Sequence, residues 1–130
     1  MSDKASELCN YRIQNAEETL ATACDCLEKK RYKDCINRSY YAAFYAIKAV
    51  LALEETDFKR HKDVVAYFNH KYVAGDIFPR NIGKALGRLK RKREASDYDD
   101  FYVASYEETI EQLNYAKDII EEVKKYVLTF

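Results

Sequence analysis

With only three glycines and one proline in 130 residues, the chain has too few turn-formers for a sheet-rich fold. Sandwiches and barrels of this size carry a turn signal every eight to twelve residues or so. Sandwiches, barrels and doubly wound sheets are therefore disfavoured, and helices are expected. Hydrophobic residues make up 48% and charged residues 34% of the chain, which predicts one domain spanning 1–130 around a single core. No apolar run approaches the roughly 18 residues that cross a bilayer, and Met1-Ser2-Asp3-Lys4 lacks the apolar segment of a secretory signal. The expectation is a cytoplasmic protein with no membrane partner.

The apolar spacing places the helices. Ile13, Ala16, Leu20, Ala23/Cys24 and Leu27 alternate steps of three and four, which predicts an amphipathic helix from about residue 3 to 29. Lys29, Lys30 and Arg31 suit its C-terminal end. Ile36, Tyr40, Ala43/Phe44, Ile47 and Val50/Leu51 predict a second helix over Tyr32 to Leu53, and the short connection makes the first two an antiparallel hairpin. Val64/Val65, Phe68 and Tyr72 predict a third from Arg60 to Ala74, stopped by Gly75. Pro79 suits the first turn of a fourth helix, which carries Ile82, Leu86 and Leu89. Ser96, Asp97, Asp99 and Asp100 break the pattern over Glu94 to Ala104, and Ser105 with Glu108 has the spacing of a capping box. A last helix then runs to Val127 on a stripe of Tyr106, Ile110, Leu113, Ala116, Ile120, Val123 and Val127. The fold class is all-α, an up-and-down bundle of about five helices.

Cys9, Cys24, Cys26 and Cys35 form no CxxC pair and have no nearby histidine. On a helix Cys24 and Cys26 point about 200° apart, so they cannot share a metal. Free, packed thiols in a reducing compartment are expected, with no metal and no cofactor. The zero net charge conceals a segregation. Residues 79–93 carry seven bases and no acid, whereas residues 94–130 carry three bases and ten acids.

The second helix carries a further stripe. Asn37/Arg38, Tyr41, Tyr45 and Lys48 share one face, turned away from Ile36, Phe44, Ile47 and Leu51. Tyrosine is at home half in water, so an aromatic outer face is one reading. Arginine and tyrosine are also the types that carry binding hot spots, which makes a site or an interface the other.

The run Asn37-Arg38-Ser39-Tyr40-Tyr41-Ala42-Ala43-Phe44-Tyr45-Ala46 strongly resembles the second helix of the HEPN superfamily, small helical domains often encoded beside minimal nucleotidyltransferases. His61, Val64, Phe68, Val73, Gly75 and Pro79 resemble its middle segment, and Arg93-Glu94-Ala95-Ser96-Asp97-Tyr98 resembles the turn before its last helix. The resemblance implies a homodimer, a minimal nucleotidyltransferase partner and a toxin-antitoxin-like two-component system that engages RNA or a nucleotide. Many members are described as metal-independent ribonucleases that pair an arginine with a histidine further along the same helix, across the dimer. Arg38 takes the arginine place. Six residues separate it from Tyr45, which stands where relatives often carry the histidine. A phenol, with a pKa of about 10, cannot exchange protons near neutrality as an imidazole can. The expected ribonuclease is therefore weak or silent. Arg38 can still hold a phosphate through its planar fork, and Tyr45 can stack a base or donate a hydrogen bond.

His61 and His70 are the only histidines, and their spacing puts them about 180° apart on one helix. His61, near the start of the third helix, reads either as an exposed or locally capping histidine, the commoner case, or as a group that approaches the Arg38 face and replaces the missing base; His70 reads as a surface residue. In the basic block, Arg80, Lys84, Arg88 and Arg91 share a face that can follow a phosphate backbone, with salt-sensitive affinity. Asn37, Tyr41, Lys48, Lys84, Arg88 and Arg91 are thus the candidate binding residues, with Arg38, Tyr45 and His61 the candidate catalytic set. Pairing of the basic helix with the acidic last helix, inside the molecule or across a dimer, is the structural alternative. The rival function is a non-catalytic partner-binding module, whose contacts would centre on the tyrosines and tolerate salt.

Overall fold

Helices satisfy both the apolar spacing and the shortage of turn-formers. The computed structural model describes residues 3–130 and holds five α-helices, with no strand among the described residues. They are α1 (Asp3–Glu28), α2 (Tyr32–Leu53), α3 (His61–Phe68), α4 (Arg80–Tyr98) and α5 (Tyr106–Val127). The architecture is the expected all-α bundle, and α2 packs against each of the other four helices.

The α1–α2 hairpin is close because its buried residues are small. α1 buries Ala5, Cys9, Ala16 and Ala23, while α2 buries Ala42, Ala43, Ala46, Ala49 and Ala52. The bulk of the core comes from Tyr40, Ile47 and Leu51 of α2 with Phe68, Ile82, Leu86, Leu89 and Ile119. Each such side chain contributes roughly 1.5–3 kcal/mol on burial, set against the entropy of ordering it.

The helix ends depart from the expected chemistry. After α1, Lys30 takes a left-handed φ of 62°, the Arg31 N–H donates to Cys26 O at 2.8 Å, and the Lys30 N–H donates to Leu27 O at 3.0 Å. The same pair of bonds recurs around Glu55 after α2 and Asp76 after the third helical segment, with φ of 54° and 60°. These are Schellman terminations built without glycine. Gly75 does not supply the left-handed residue; Asp76 does. Gly75 is needed for space, because a Cβ there would lie 2.3 Å from Lys71 O.

The expected third helix is α3 continued by a π-helical turn over Asn69–Val73, where the Ala74 N–H donates to Asn69 O at 2.8 Å. Gly83 of α4 faces this turn, and a Cβ on it would come within 3.0 Å of the Val73 side chain. Pro79 sits at the N-cap position of α4, one residue before the first helical one. α4 runs on to Tyr98, through residues expected to break it. The period continues there with Arg93 and the buried Ser96 in place of apolar residues, which is why hydropathy alone misses it. The capping box of α5 is present: the Glu108 N–H donates to Ser105 Oγ at 3.1 Å and the Ser105 N–H to Glu108 Oε2 at 3.2 Å. The inner face of α5 is rotated at its start. Thr109 and Gln112 are buried, whereas Tyr106 is exposed and Ile110 half-buried.

Candidate functional site

Between Cys35 and Ala52 every residue is buried except Asn37, Arg38, Tyr41, Tyr45 and Lys48. The polar-aromatic stripe is therefore the one strip of the central helix left open by the rest of the chain. Its rim comes from the first residue of α3, His61, and from Arg93 near the end of α4.

Arg38 is oriented by its neighbour. Its Nε and Nη2 donate to Asn37 Oδ1 at 3.0 and 2.6 Å, and its guanidinium lies 5.1 Å from the centroid of the Tyr41 ring. Asn37 is fixed in turn by Nδ2 donating to Asp97 Oδ2 at 3.2 Å, and Asp97 pairs with Arg93 at 3.6 Å. The Arg93 guanidinium covers Tyr40 at 4.8 Å and reaches the same Tyr41 ring at 5.6 Å. Its side chain is only 12% exposed. Two guanidiniums thus converge on one aromatic ring. Arg93 has a carboxylate partner; Arg38 makes no ion pair among the described residues and spends its printed hydrogen bonds on an amide oxygen. Of the donors on the Arg38 fork, three remain for an incoming anion when five are counted and two are used.

His61 stands at this strip, edge-on to Tyr41 at 5.8 Å and stacked on the buried Phe44 at 4.1 Å. Partial burial, then the positive charges of Arg93 and Lys48, hold its imidazole below the ordinary value. Such a histidine is neutral at physiological pH and able to accept a proton. Tyr45 lies a turn beyond Tyr41, ring centroids 6.3 Å apart. Lys48 closes the far end, tied to Asp57 at 3.4 Å; Arg12 of α1 also pairs with Asp57, at 3.2 Å, and donates to Lys48 O. Tyr41 and Tyr45 are half-buried rather than fully exposed, and the two guanidiniums and the imidazole lie against the Tyr41 ring.

The basic block divides. Lys90 pairs with Glu94 at 2.7 Å, Lys92 with Glu108 at 3.1 Å, and Arg93 joins the α2 site. Arg80, Lys84, Arg88 and Arg91 make no ion pair among the described residues, and Arg88 Nη1 donates to Tyr115 Oη at 2.8 Å. The acidic last helix answers part of the block through Glu108 and leaves the shared outer face charged. Lys84, Arg88 and Arg91 therefore belong to a different surface from Arg38 and Tyr41.

Sequence reasoning left Arg93 and Asp97 out of the site. The missed signal was an arginine on the inward period of α4, in line with Ile82, Leu86 and Leu89, where a core residue was due. His70 is exposed on the π-helical turn. Cys9 and Cys35 are buried and Cys24 and Cys26 half-buried; burial pushes the Cys35 thiol up to about 11, which makes it unreactive.

A helical bundle whose buried central helix opens along one arginine-aromatic strip defines a class of small all-α domain. The sequence pattern of the HEPN domain matches residues 9–126, and the chain belongs to that family. It is similar to a protein of Thermotoga maritima named "UPF0332 protein", 27% identical over 127 residues that make up 98% of this chain and 96% of the relative. A Methanocaldococcus jannaschii protein named "Putative toxin" is 24% identical over 117 residues, 90% of this chain and 80% of its own length. A second from that organism, similarly named, is 31% identical over 86 residues, 66% of this chain and 64% of its own.

Proposed function

We propose that the chain is the toxin-like component of a two-component system with a minimal nucleotidyltransferase, and that it engages RNA as a twofold dimer. The observation that carries the RNA reading is the placement of Arg38 and Arg93 against one ring, Tyr41, with Arg38 lacking a carboxylate partner. A guanidinium fork is suited to a phosphodiester, and the tyrosines supply faces for bases. The names carried by the two Methanocaldococcus relatives support the toxin-like part. The genomic habit of the HEPN superfamily supports the partner.

In this reading the strip binds the RNA backbone at Arg38 and holds a base near Tyr41 and Tyr45. His61 takes the proton role that Tyr45 cannot fill, so cleavage is metal-independent and slow. Asn37 is a positioning residue, because it reaches the ligand only through Arg38.

The test is a titration of labelled single-stranded RNA into wild type, Arg38→Gln and Tyr41→Leu at several salt concentrations. Arg38→Gln weakens binding tenfold or more, about 1.4 kcal/mol, and the wild-type affinity falls as salt rises. Wild-type affinity in Arg38→Gln defeats the RNA reading. Salt-tolerant capture of a protein partner that needs Tyr41 and Tyr45 but not Arg38 would replace it with the partner-binding module.

A further inference from the structure

At the far end of α2 a carboxylate sits where electrostatics disfavours one. Glu54 is the C-cap of α2, about 24 Å of helix rise beyond Arg38. The last carbonyls of a helix form its negative end, which repels an acid and attracts a cation. The Glu54 side chain is only 20% exposed. Burial opposes its charge; Lys71 and the hydroxyls of Tyr67 and Tyr72 outweigh burial and hold the carboxyl below its ordinary range. An ionised, half-enclosed acid at a negative helix end calls for a cation.

The cation in place is the chain's own. Lys71 Nζ donates to Glu54 Oε2 and lies 5.8 and 5.6 Å from the ring centroids of Tyr67 and Tyr72. Tyr72 meets Tyr126 of α5 edge-on, ring centroids 6.0 Å apart. Rings beside a carboxylate favour an ammonium ion twice over, through the ring quadrupole and through the charge. Lys71 belongs to the π-helical turn, which is held at a cost: Asn69 Oδ1 is buried there without a hydrogen-bond partner. Turns of this type recur at functional sites. Beside the ion pair lies an open cavity of about 220 Å³, walled by Tyr72 and Tyr126 and by the apolar Leu53, Ile77 and Phe130. Ile77 and Phe130 are exposed, so the apolar side is open to a ligand. The volume is below the roughly 300–1,000 Å³ of ordinary ligand pockets, which limits that ligand to a small one. The Lys71 side chain is 46% exposed, and an ion pair so open to water holds its partners weakly.

We propose that this is a binding site for a small alkylammonium ion, and that Lys71 is the resident cation an incoming amine displaces. The ammonium head takes the place of Lys71 Nζ on Glu54 Oε2 and against the Tyr67 and Tyr72 rings. A short apolar tail lies along Tyr126, Ile77 and Phe130, and the released Lys71 turns to solvent. One carboxylate admits one positive charge at a time. The site shares no residue with the Arg38 strip, and the proposal rests on nothing in the RNA reading.

The experiment follows amide and ring resonances of labelled protein during titration with n-butylammonium, choline and, as the neutral control, butan-1-ol. n-Butylammonium shifts Lys71, Tyr72 and Phe130 saturably, and butan-1-ol does not. Lys71→Met keeps the stem and removes the resident charge. It binds the amine about tenfold more tightly, because the site is no longer covered, and the amine restores the melting temperature that an unpaired Glu54 lowers. Lys71→Gln carries the same comparison where the methionine variant fails to fold. Glu54→Gln loses amine binding by about tenfold or more, and Tyr67→Leu weakens it severalfold. Preference for choline assigns a quaternary head and preference for n-butylammonium a primary one; either supports the site. The proposal is overturned if neither the wild type nor the Lys71 variants bind an amine saturably, if butan-1-ol binds as tightly, or if Glu54→Gln keeps wild-type affinity. Lys71 and Glu54 would then be a structural ion pair alone.

Discussion

The imidazole of His61 lies against the ring of Phe44, centroids 4.1 Å apart and planes 30° apart. Phe44 is buried in α2, so the first residue of α3, itself solvent-exposed, is anchored by one ring face at the edge of the open strip. Its edge faces Tyr41, the ring that also receives Arg38 and Arg93. An imidazole thus stands at the strip, whereas position 45 holds a phenol.

This placement fixes a pH dependence. Partial burial, then Arg93 and Lys48, lower the His61 pKa below the 6.5 of an unperturbed histidine. With the folded pKa below the unfolded one, the unfolded state binds more protons in that window. The stability this group contributes is complete above the unfolded value and is lost as pH falls through the folded one. Metal-independent RNA cleavage, measured as initial rates in chelator, rises with pH along a limb whose midpoint lies below 6.5. His61→Ala abolishes the cleavage and leaves RNA affinity within about twofold. A midpoint well above that value shows that the limb belongs to another group.

The left-handed Lys30 yields a stability prediction independent of function. A lysine at φ 62° carries steric strain of about 1–2 kcal/mol that glycine does not, partly offset by the unfolded-state freedom of glycine. Lys30→Gly stabilises the protein by about 0.5–1 kcal/mol, read as a shift in the urea midpoint without a change in slope. The removal of the Ser105 cap acts in the opposite direction: Ser105→Ala costs about 1 kcal/mol. A destabilised Lys30→Gly shows that the α1–α2 turn is not strained.

Assembly is the third. Tyr41 and Tyr45 remain half-open on the central helix, and the α4–α5 connection adds Phe101 and Val103, 91% and 85% exposed. That is a large apolar surface for a lone chain to present to water. Sedimentation at micromolar concentration gives a dimer of the 15.3 kDa chain, and Tyr45→Asp shifts it towards monomer. A persistent wild-type monomer removes any site composed from two copies.

Much of this was legible because the governing signals are local. The ends of α2 and the C-terminal end of α5 follow from apolar period, and the Ser105–Glu108 box marks the start of α5. What escaped depends on partners distant in sequence. Arg93 and Ser96 sit where an apolar residue belongs, so the helix through Tyr98 is invisible to hydropathy until Arg93 is seen stacked on Tyr40. Gln112 and Thr109 read as surface residues although both are buried. The arginine-tyrosine strip was readable as a pattern, and the position of His61 beside it only as one possibility among several. Its contact with Phe44 crosses the connection from Glu54 to Arg60.

The last prediction isolates the proton chemistry of Tyr45. Seven residues of helix rise about 10 Å, so Arg38 and the side chain at 45 stand two turns apart on one strip. A long guanidinium from one turn and a ring from the other can meet on a phosphate between them, or across a twofold axis. The present Tyr45 offers a hydroxyl there and no group that exchanges protons near neutrality. Imidazole is smaller than phenol and enters a half-buried place without overpacking. Tyr45→His therefore raises the slow wild-type cleavage by about 10²-fold or more, at the low end of the 10²- to 10⁴-fold that positioned proton transfer supplies. Tyr45→Phe leaves cleavage unchanged, since the hydroxyl is not the proton carrier. Arg38→Gln suppresses the gain in the double variant, because both proteins need the phosphate held. Cleavage that requires Arg38 but survives both His61→Ala and Tyr45→Phe would place the proton carrier outside the strip.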